Sequence, residues 1–203
     1  MTSIALIDYG AGNLTSVKKA LGAIGATVFV PESPVAMAVA SGVIVPGVGH
    51  FGATRALDQS WIDAILELIG EGRPMLGICL GMQWLFEGSD EAPECPGLGL
   101  LSGQCHRLEV PPGNRQLKIP HVGWNSLEPK RDGSIVEGIT PGAQVYFTHS
   151  YVAPVTGDTV TTTKHGEAFA SIVQRGQIAG VQFHPEKSGD AGLQILRNFV
   201  AST

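Results

Sequence analysis

Uninterrupted apolar segments recur through the first half of the chain. They have the length and the β-branched content of buried strands, and they are SIALID (3–8), TVFV (27–30), GVIVPG (42–47) and PMLGI (74–78). Segments that are apolar throughout are typical of strands with both faces covered. The pattern therefore predicts four short buried strands.

The segments between these strands have a helical period. Residues 13–26 place Leu14, Val17, Leu21 and Ile24 one turn apart, and the helix pattern returns at 34–40 and, over a longer stretch, at 53–72. Helices that connect buried strands imply a parallel sheet with helices on both faces. The first half is accordingly predicted to be α/β.

After residue 96 the pattern changes to strand-like pieces joined by Gly, Pro and Asp turns, which favours a more antiparallel second half. The pieces lie at 98–110, 121–129, 143–152, 158–166, 169–176 and 177–185. A helix pattern from Gly189 to Val200 ends the chain. No repeat or linker separates the halves, so a single domain over 1–203 is predicted. Near residue 100 only the strand arrangement is expected to change, from parallel to more antiparallel.

Composition narrows the class of protein. With 203 residues and 43% hydrophobic content the chain can bury one full core. A net charge of -5 without a basic patch argues against nucleic acid as a partner. No apolar run approaches the ~18 residues of a membrane span and no signal peptide is visible, so we expect no membrane partner and a cytoplasmic location. Three cysteines form no disulfide framework, and Cys95 and Cys105 are expected to be reduced thiols.

The third cysteine, Cys79, lies in GICLG (77–81), between a predicted strand and a helix that starts at Leu80. Gly-x-Cys-x-Gly in that position is typical of a nucleophile elbow, whose sharp turn exposes the central side chain. Free N–H groups at the helix start would favour a thiolate and supply an oxyanion donor. The alternative is a structural cysteine in a tight turn.

A cysteine nucleophile needs a base, and six histidines are available. His184 has the best surroundings, because it follows an apolar strand pattern and precedes Pro185, which favours an extended His184. Glu186, two residues on, can orient the imidazole. The alternative for His-Pro-Glu is a solvated turn.

PGVGHFG (46–52) also follows a buried strand, at the sheet edge where α/β proteins bind ligands. Its glycines allow backbone N–H groups to approach a ligand, so Gly47, Val48 and Gly49 are candidates for the second half of an oxyanion hole. A phosphate-binding loop is the rival interpretation, but the Lys-Ser/Thr of a P-loop is absent. His50 is interpreted as a loop histidine and no metal site is expected.

The motifs together resemble the class I (triad) glutamine amidotransferases over nearly the whole chain. They are IDYGAGN (7–13), PGVGHFG (46–52), GICLGMQ (77–83), HVGWN (121–125), YFTHSY (146–151) and GVQFHPEKS (180–188). The resemblance implies an open, mostly parallel, flavodoxin-like sheet with an added antiparallel region. It also implies a glutaminase, without a cofactor, whose ammonia passes to a cyclase subunit of (β/α)8-barrel fold in a histidine-biosynthetic heterodimer.

Carried over residue by residue, the resemblance makes Cys79 the nucleophile, His184 the proton shuttle and Glu186 its orienting carboxylate. It places Leu80 with the Gly47 to Gly49 loop at the oxyanion, and Gln83, Ser150 and Tyr151 around the amino acid end of L-glutamine. It assigns Asn13, Trp124 and Lys187 to the partner interface. From the residues alone, Gln83 could also be an exposed helix residue and Trp124 a core aromatic.

Three other functions are consistent with the sequence: another class I amidotransferase subunit, a hydrolase with the same elbow, or a regulatory module that kept the fold without the chemistry. The hydrolase is disfavoured because residue 80 is Leu, where such relatives usually carry the histidine. The regulatory module is disfavoured because Cys79, His184 and Glu186 are all present.

Overall fold

The structure, a computed structural model, describes residues 3–111 and 117–203. The strands are β1 (Ser3–Leu6), β2 (Thr27–Phe29), β3 (Gly42–Gly47), β4 (Met75–Cys79), β5 (Gly88–Ser89), β6 (Gln104–Arg107), β7 (His121–Ser126), β8 (Glu128–Pro129), β9 (Gln144–His149), β10 (Tyr151–Val152), β11 (Thr159–His165), β12 (Glu167–Arg175) and β13 (Ile178–Val181). The α-helices are α1 (Leu14–Ala23), α2 (Gln59–Gly70), α3 (Leu80–Trp84) and α4 (Gly189–Ala201). Short 3₁₀ turns cover Pro34–Val39, Phe51–Ala56, Ser134–Val136 and Pro185–Lys187.

Eight strands form the main sheet in the order β2-β1-β3-β4-β13-β12-β11-β8. The strands from β2 to β13 in this order run parallel, and the remaining three pairings are antiparallel. β4 lies in the middle, with Gly47 of β3 paired to Cys79 and Val181 of β13 paired to Ile78. The carboxyl ends of β3, β4 and β13 therefore meet at one sheet edge, where open α/β folds bind ligands.

This architecture confirms the predicted fold class, a mostly parallel sheet with flanking helices and an additional antiparallel region. The predicted change from parallel to more antiparallel strands near residue 100 does not divide the sheet. β13 from the second half of the chain lies parallel beside β4 from the first half. The remaining strands form smaller sheets: β7 pairs with β9, and β10, β6 and β5 form a third sheet.

The core lies on both faces of the main sheet, as the apolar strand runs predicted. Along β3, Ile44 packs in a cluster with side chains of α1 and α4, whereas Val43 and Val45 pack in a second cluster with side chains of α2 and α3. Successive strand residues point to opposite faces, so every apolar position of β3 is used.

Two predicted helices differ from the structure. The helix expected over 53–72 is divided, because a 3₁₀ turn ends at Ala56 and α2 begins only after Asp58. The Asp58 carboxylate accepts from the backbone N–H groups of Ser60 and Trp61, which starts a new helix there. The helix pattern at 34–40 is a 3₁₀ turn at Pro34–Val39.

Two further observations concern the expectations from composition. Cys95 and Cys105 are buried free thiols, as predicted. Within the described residues no helix combines the length and the apolar character needed to cross a membrane.

Candidate active site

Cys79 is the last residue of β4 and is followed at once by α3, so the predicted strand-turn-helix elbow is present. Its φ of 53° makes it the one non-glycine residue with positive φ among the described residues. Such a conformation is costly for a side chain bearing a Cβ and occurs mainly at functional sites. The strain is specific to the candidate nucleophile.

The two glycines of the elbow are required by close backbone approach. A Cβ on Gly77 would lie 2.5 Å from the carbonyl oxygen of Gly81, and a Cβ on Gly81 would lie 1.8 Å from the carbonyl oxygen of Val45. The glycines thus let α3 lie directly against β3. One expectation needs correction: α3 has only five residues, so its dipole acts over little more than one turn.

His184 and Glu186 follow β13 and lie beside the elbow. His184 has φ -99° and ψ 98°, the extended conformation expected before Pro185. Its Nδ1 lies 2.9 Å from Oε1 of Glu186, and both side chains are almost fully buried. The predicted carboxylate–imidazole pair is therefore formed, and the solvated-turn alternative is wrong.

Two opposing effects set the charge of this imidazole. Burial would lower the pKa of His184, but Cys79 and then Glu186 favour the protonated ring, and together they raise the pKa to about 9. The Nε2 atom is buried and has no hydrogen-bond partner of good geometry among the described residues. The ring thus holds one nitrogen on Glu186 and leaves the other for proton transfer.

A cavity of about 270 Å³ opens at the elbow. Its lining residues are Gly49, Cys79, Leu80, Gln83, Glu91, Pro120, Thr148, His149, Ser150 and Tyr151. Five of the predicted binding residues are among them, namely Gly49, Leu80, Gln83, Ser150 and Tyr151. A larger cavity of about 440 Å³ lies beside α2, but its lining has no nucleophile paired with a base.

Gln83 is buried, so it is not an exposed helix residue. Its Nε2 donates to the carbonyl oxygen of Tyr151 at 2.9 Å, which joins α3 to the far wall of the cavity. This hydrogen bond between α3 and β10 therefore holds one polar wall of the cavity in place.

The loop after β3 closes the other side of the elbow. A Cβ on Gly47 would lie 2.7 Å from Cβ of Leu80, so only glycine fits there. The N–H of Val48 donates to the carbonyl oxygen of Ala11 at 2.5 Å, and Gly49 has φ 98°. Gly47 and Val48 are thus near the elbow, but the Val48 donor is engaged by the loop after β1.

Comparison with known proteins gives the family. The family model described as "Glutamine amidotransferase class-I" matches residues 5–203. The chain belongs to this family. The amidotransferase chain is 47% identical to "Imidazole glycerol phosphate synthase subunit HisH" of Moorella thermoacetica, over 98% of the chain and 94% of that protein. It is 48% identical to the protein of the same name from Gloeobacter violaceus, over 98% of the chain and 88% of that protein.

A solved structure titled "Crystal structure of glutamine amidotransferase" has the same fold, with a TM-score of 0.73 at 22% identity over 98% of this chain and 97% of that one. The enzyme class predicted from the motifs, a glutamine amidotransferase, is confirmed by the family match.

Sequence reasoning missed one charged residue of the amidotransferase cavity. Glu91 lines it, and its Oε2 accepts from the N–H of Phe51 at 2.7 Å. Glu91 lies in the acidic run EGSDE, which resembles any solvated turn. Only the fold, which brings this turn to the loop after β3, shows that the carboxylate faces the site.

The three predicted interface residues occupy different settings. Trp124 is 56% exposed, so the core alternative is wrong, and its ring packs edge-on to Tyr146. The Lys187 ammonium lies 5.9 Å from the centroid of the same Tyr146 ring. Asn13 caps α1 by accepting from the N–H of Ser16, so it also has a structural role.

Proposed function

We propose that this chain is the glutaminase subunit of an imidazole glycerol phosphate synthase. The observation that carries the proposal is the buried Cys79, His184 and Glu186 constellation beside a small polar cavity. The relatives named as this subunit cover nearly the whole chain, which supports the same assignment. The enzyme hydrolyses L-glutamine to glutamate and ammonia.

Cys79 attacks the side-chain amide carbon of glutamine, while His184 holds the thiol proton. As the tetrahedral intermediate collapses, the carbon–nitrogen bond breaks and His184 gives this proton to the leaving ammonia. A water molecule then attacks the thioester with His184 as base, which releases glutamate and restores the thiol. Glu186 supports the imidazolium in both steps.

Different walls of the cavity bind different parts of the glutamine molecule. Gln83 and the backbone at Ser150 and Tyr151 offer hydrogen bonds to its amino acid end, and the Glu91 carboxylate pairs with its α-ammonium group. The Leu80 N–H and the loop of Gly47, Val48 and Gly49 serve the oxyanion. Because Val48 N–H is engaged by Ala11, the loop must rearrange before this donor can act.

The synthase partner is a cyclase subunit of (β/α)8-barrel fold, bound as a heterodimer in the cytoplasm. It uses the ammonia to make imidazole glycerol phosphate and aminoimidazole carboxamide ribotide in histidine biosynthesis. The interface includes Asn13, Trp124 and Lys187. Trp124 and its β7 neighbour Val122, 57% exposed, form an exposed apolar surface suited to a protein partner.

The proposal is tested in the complex with the cyclase subunit. Cys79→Ala should abolish synthesis from glutamine but retain synthesis from added ammonium salt, because ammonia bypasses the thioester. Cys95→Ala, a buried free cysteine outside the cavity, is the matched control and should retain both activities. Equal loss of both activities in Cys79→Ala would contradict the division of labour between the subunits.

A further inference from the structure

One polar side chain beside the nucleophile has no role in the chemistry described above. Gln182 is fully buried, one residue after β13 and two before His184. Its Nε2 lies 3.6 Å from Sγ of Cys79, and its Oε1 lies 3.1 Å from Nε2 of Gln83. The side chain therefore joins the nucleophile to the wall of the substrate cavity.

The orientation of the Gln182 amide follows from the Tyr151 carbonyl oxygen, which can only accept a hydrogen bond. The carbonyl oxygen of Tyr151 accepts from Gln83, so the amide nitrogen of Gln83 must face that side. The same nitrogen also contacts Gln182, whose facing atom must then be its oxygen. The remaining amide nitrogen of Gln182 is left to donate to the sulfur of Cys79.

We propose that Gln182 is a further catalytic residue, whose side-chain N–H donates to the Cys79 sulfur and stabilises its thiolate form before attack on glutamine. The proposal rests on the proposed role of Cys79 as nucleophile. A hydrogen bond to an ionised acceptor is stronger than one to a neutral acceptor, so this donor favours thiolate over thiol.

Several titratable groups surround Cys79, and among them the His184 imidazolium also favours the thiolate. His184, backed by Glu186, takes the thiol proton, and Tyr9, whose own pKa is raised by burial and by Cys79, lies on the loop after β1. Glu91 lies on the cavity wall. Burial and His121 lower the pKa of His149 to about 3, so its ring is neutral at pH 7. Gln182 adds a donor without competing with His184 for the proton.

Gln182 also connects the nucleophile to substrate binding. Gln83 holds Gln182 and the Tyr151 carbonyl through one amide group, and both Gln83 and Tyr151 line the cavity. A glutamine molecule that binds against Gln83 therefore contacts the same network that orients the donor to Cys79.

The test is the rate at which iodoacetamide alkylates Cys79 in the full chain, followed by peptide mass spectrometry from about pH 5 to pH 10. Gln182→Met removes the donor at similar length. We expect alkylation to be about 3- to 10-fold slower near neutral pH and the midpoint of the profile to move to higher pH. At the high-pH plateau the variant should react as fast as the wild type or faster, because a thiolate without a hydrogen bond is the stronger nucleophile.

The matched control is Ser171→Ala, which removes a fully buried hydroxyl bonded to Thr161 on the neighbouring strand without touching Cys79. Its profile should equal that of the wild type. A Gln182→Met profile that equals the wild type, or that is lowered by one factor at every pH, would overturn the proposal.

If Gln182→Met does not fold, Gln182→Leu removes the donor with another uncharged side chain of similar volume. A midpoint at higher pH than in the wild type then supports the proposal, and an unchanged or lower midpoint overturns it. Cys79 alkylation needs no glutamine, so these outcomes stay separate from the failure of glutamine-dependent synthesis that would contradict the proposed function.

Discussion

At the residue scale, the charge of His184 depends on its burial, on Cys79 and on the Glu186 carboxylate two positions away. The folded pKa, about 9, lies above the ordinary 6.5, so the pairing of the imidazolium with its anionic neighbours stabilises the fold fully below about pH 6.5. This contribution is lost as the pH rises through about 9. The imidazolium that we propose protonates the leaving ammonia is lost over the same range.

Glu186→Gln should therefore move the alkaline limb of the glutaminase pH profile to lower pH. Removing a carboxylate beside an imidazolium lowers the pKa of that imidazolium, and a shift of about one to three units is expected. The measurement is kcat/KM for glutamine against pH in the complex. Glu94→Gln, which removes an exposed ion pair with Arg55, is the control and should leave the limb in place.

An unshifted alkaline limb at an unchanged rate in Glu186→Gln would count against the assignment of this limb to His184. A lower rate at every pH without a shift would mean that Glu186 orients the ring but does not set its charge.

At the element scale, the position of Cys79 depends on the close approach of α3 to β3. The backbone of Gly81 lies so near the Val45 carbonyl that no side chain fits between them. The strained turn at Cys79 is thus held by contacts between whole elements, and backbone strain persists only where surrounding packing fixes it.

Gly81→Ala should destabilise the chain by about 3 kcal/mol or more, because neither backbone segment can move without breaking the sheet. Gly22→Ala is the matched control, since Gly22 lies within α1, is exposed and has open space around its Cα. That substitution should stabilise the chain by about 0.5 to 1 kcal/mol. Urea unfolding of both variants measures the difference, and equal midpoints would show that the elbow tolerates a side chain.

At the scale of the whole molecule, the engaged N–H of Val48 predicts a slow enzyme in isolation. The loss of one oxyanion donor costs about 100- to 1,000-fold in rate. Ala11, which holds this N–H, lies two residues from Asn13 on the proposed interface. On the other side, the Tyr146 ring contacts Trp124 and the Tyr146 carbonyl accepts from the N–H of His184. The proposed interface is therefore connected to the oxyanion loop through Ala11 and to His184 through Tyr146.

We expect the cyclase subunit with its nucleotide ligand to raise glutamate release by about 100- to 1,000-fold over the isolated chain. Trp124→Ala should weaken the complex by about 2 kcal/mol, because a half-exposed aromatic is a typical anchor of an interface. Titration of activity against partner concentration measures both effects.

Val35→Ala, which truncates a side chain that is 84% exposed on a different surface, is the control for the interface. It should leave the affinity unchanged. An isolated chain that already hydrolyses glutamine as fast as the liganded complex would contradict the activation, and unchanged affinity in Trp124→Ala would remove this residue from the interface.

Features that depend on neighbours along the chain can be predicted from the amino-acid sequence. Apolar runs of strand length predicted the parallel strands, and the glycines of GICLG predicted the strained turn at Cys79. Pro185 fixed the extended His184, which places Glu186 within reach of its ring. These features are local because steric limits on φ and ψ act over a few residues.

Contacts between distant segments, in contrast, are visible only in the folded chain. The pairing of β13 with β4 brings His184 to Cys79, and the same approach places Gln182 between Cys79 and Gln83. Glu91 and the Ala11 carbonyl join the site through loops with no periodic signal. The hydrophobic pattern also did not predict the division of the helix at Asp58, because the pattern is continuous there and the cap that starts α2 depends on a single side chain. Contacts between segments far apart in sequence depend on how the sheet is ordered, and hydrophobic periodicity does not encode that order.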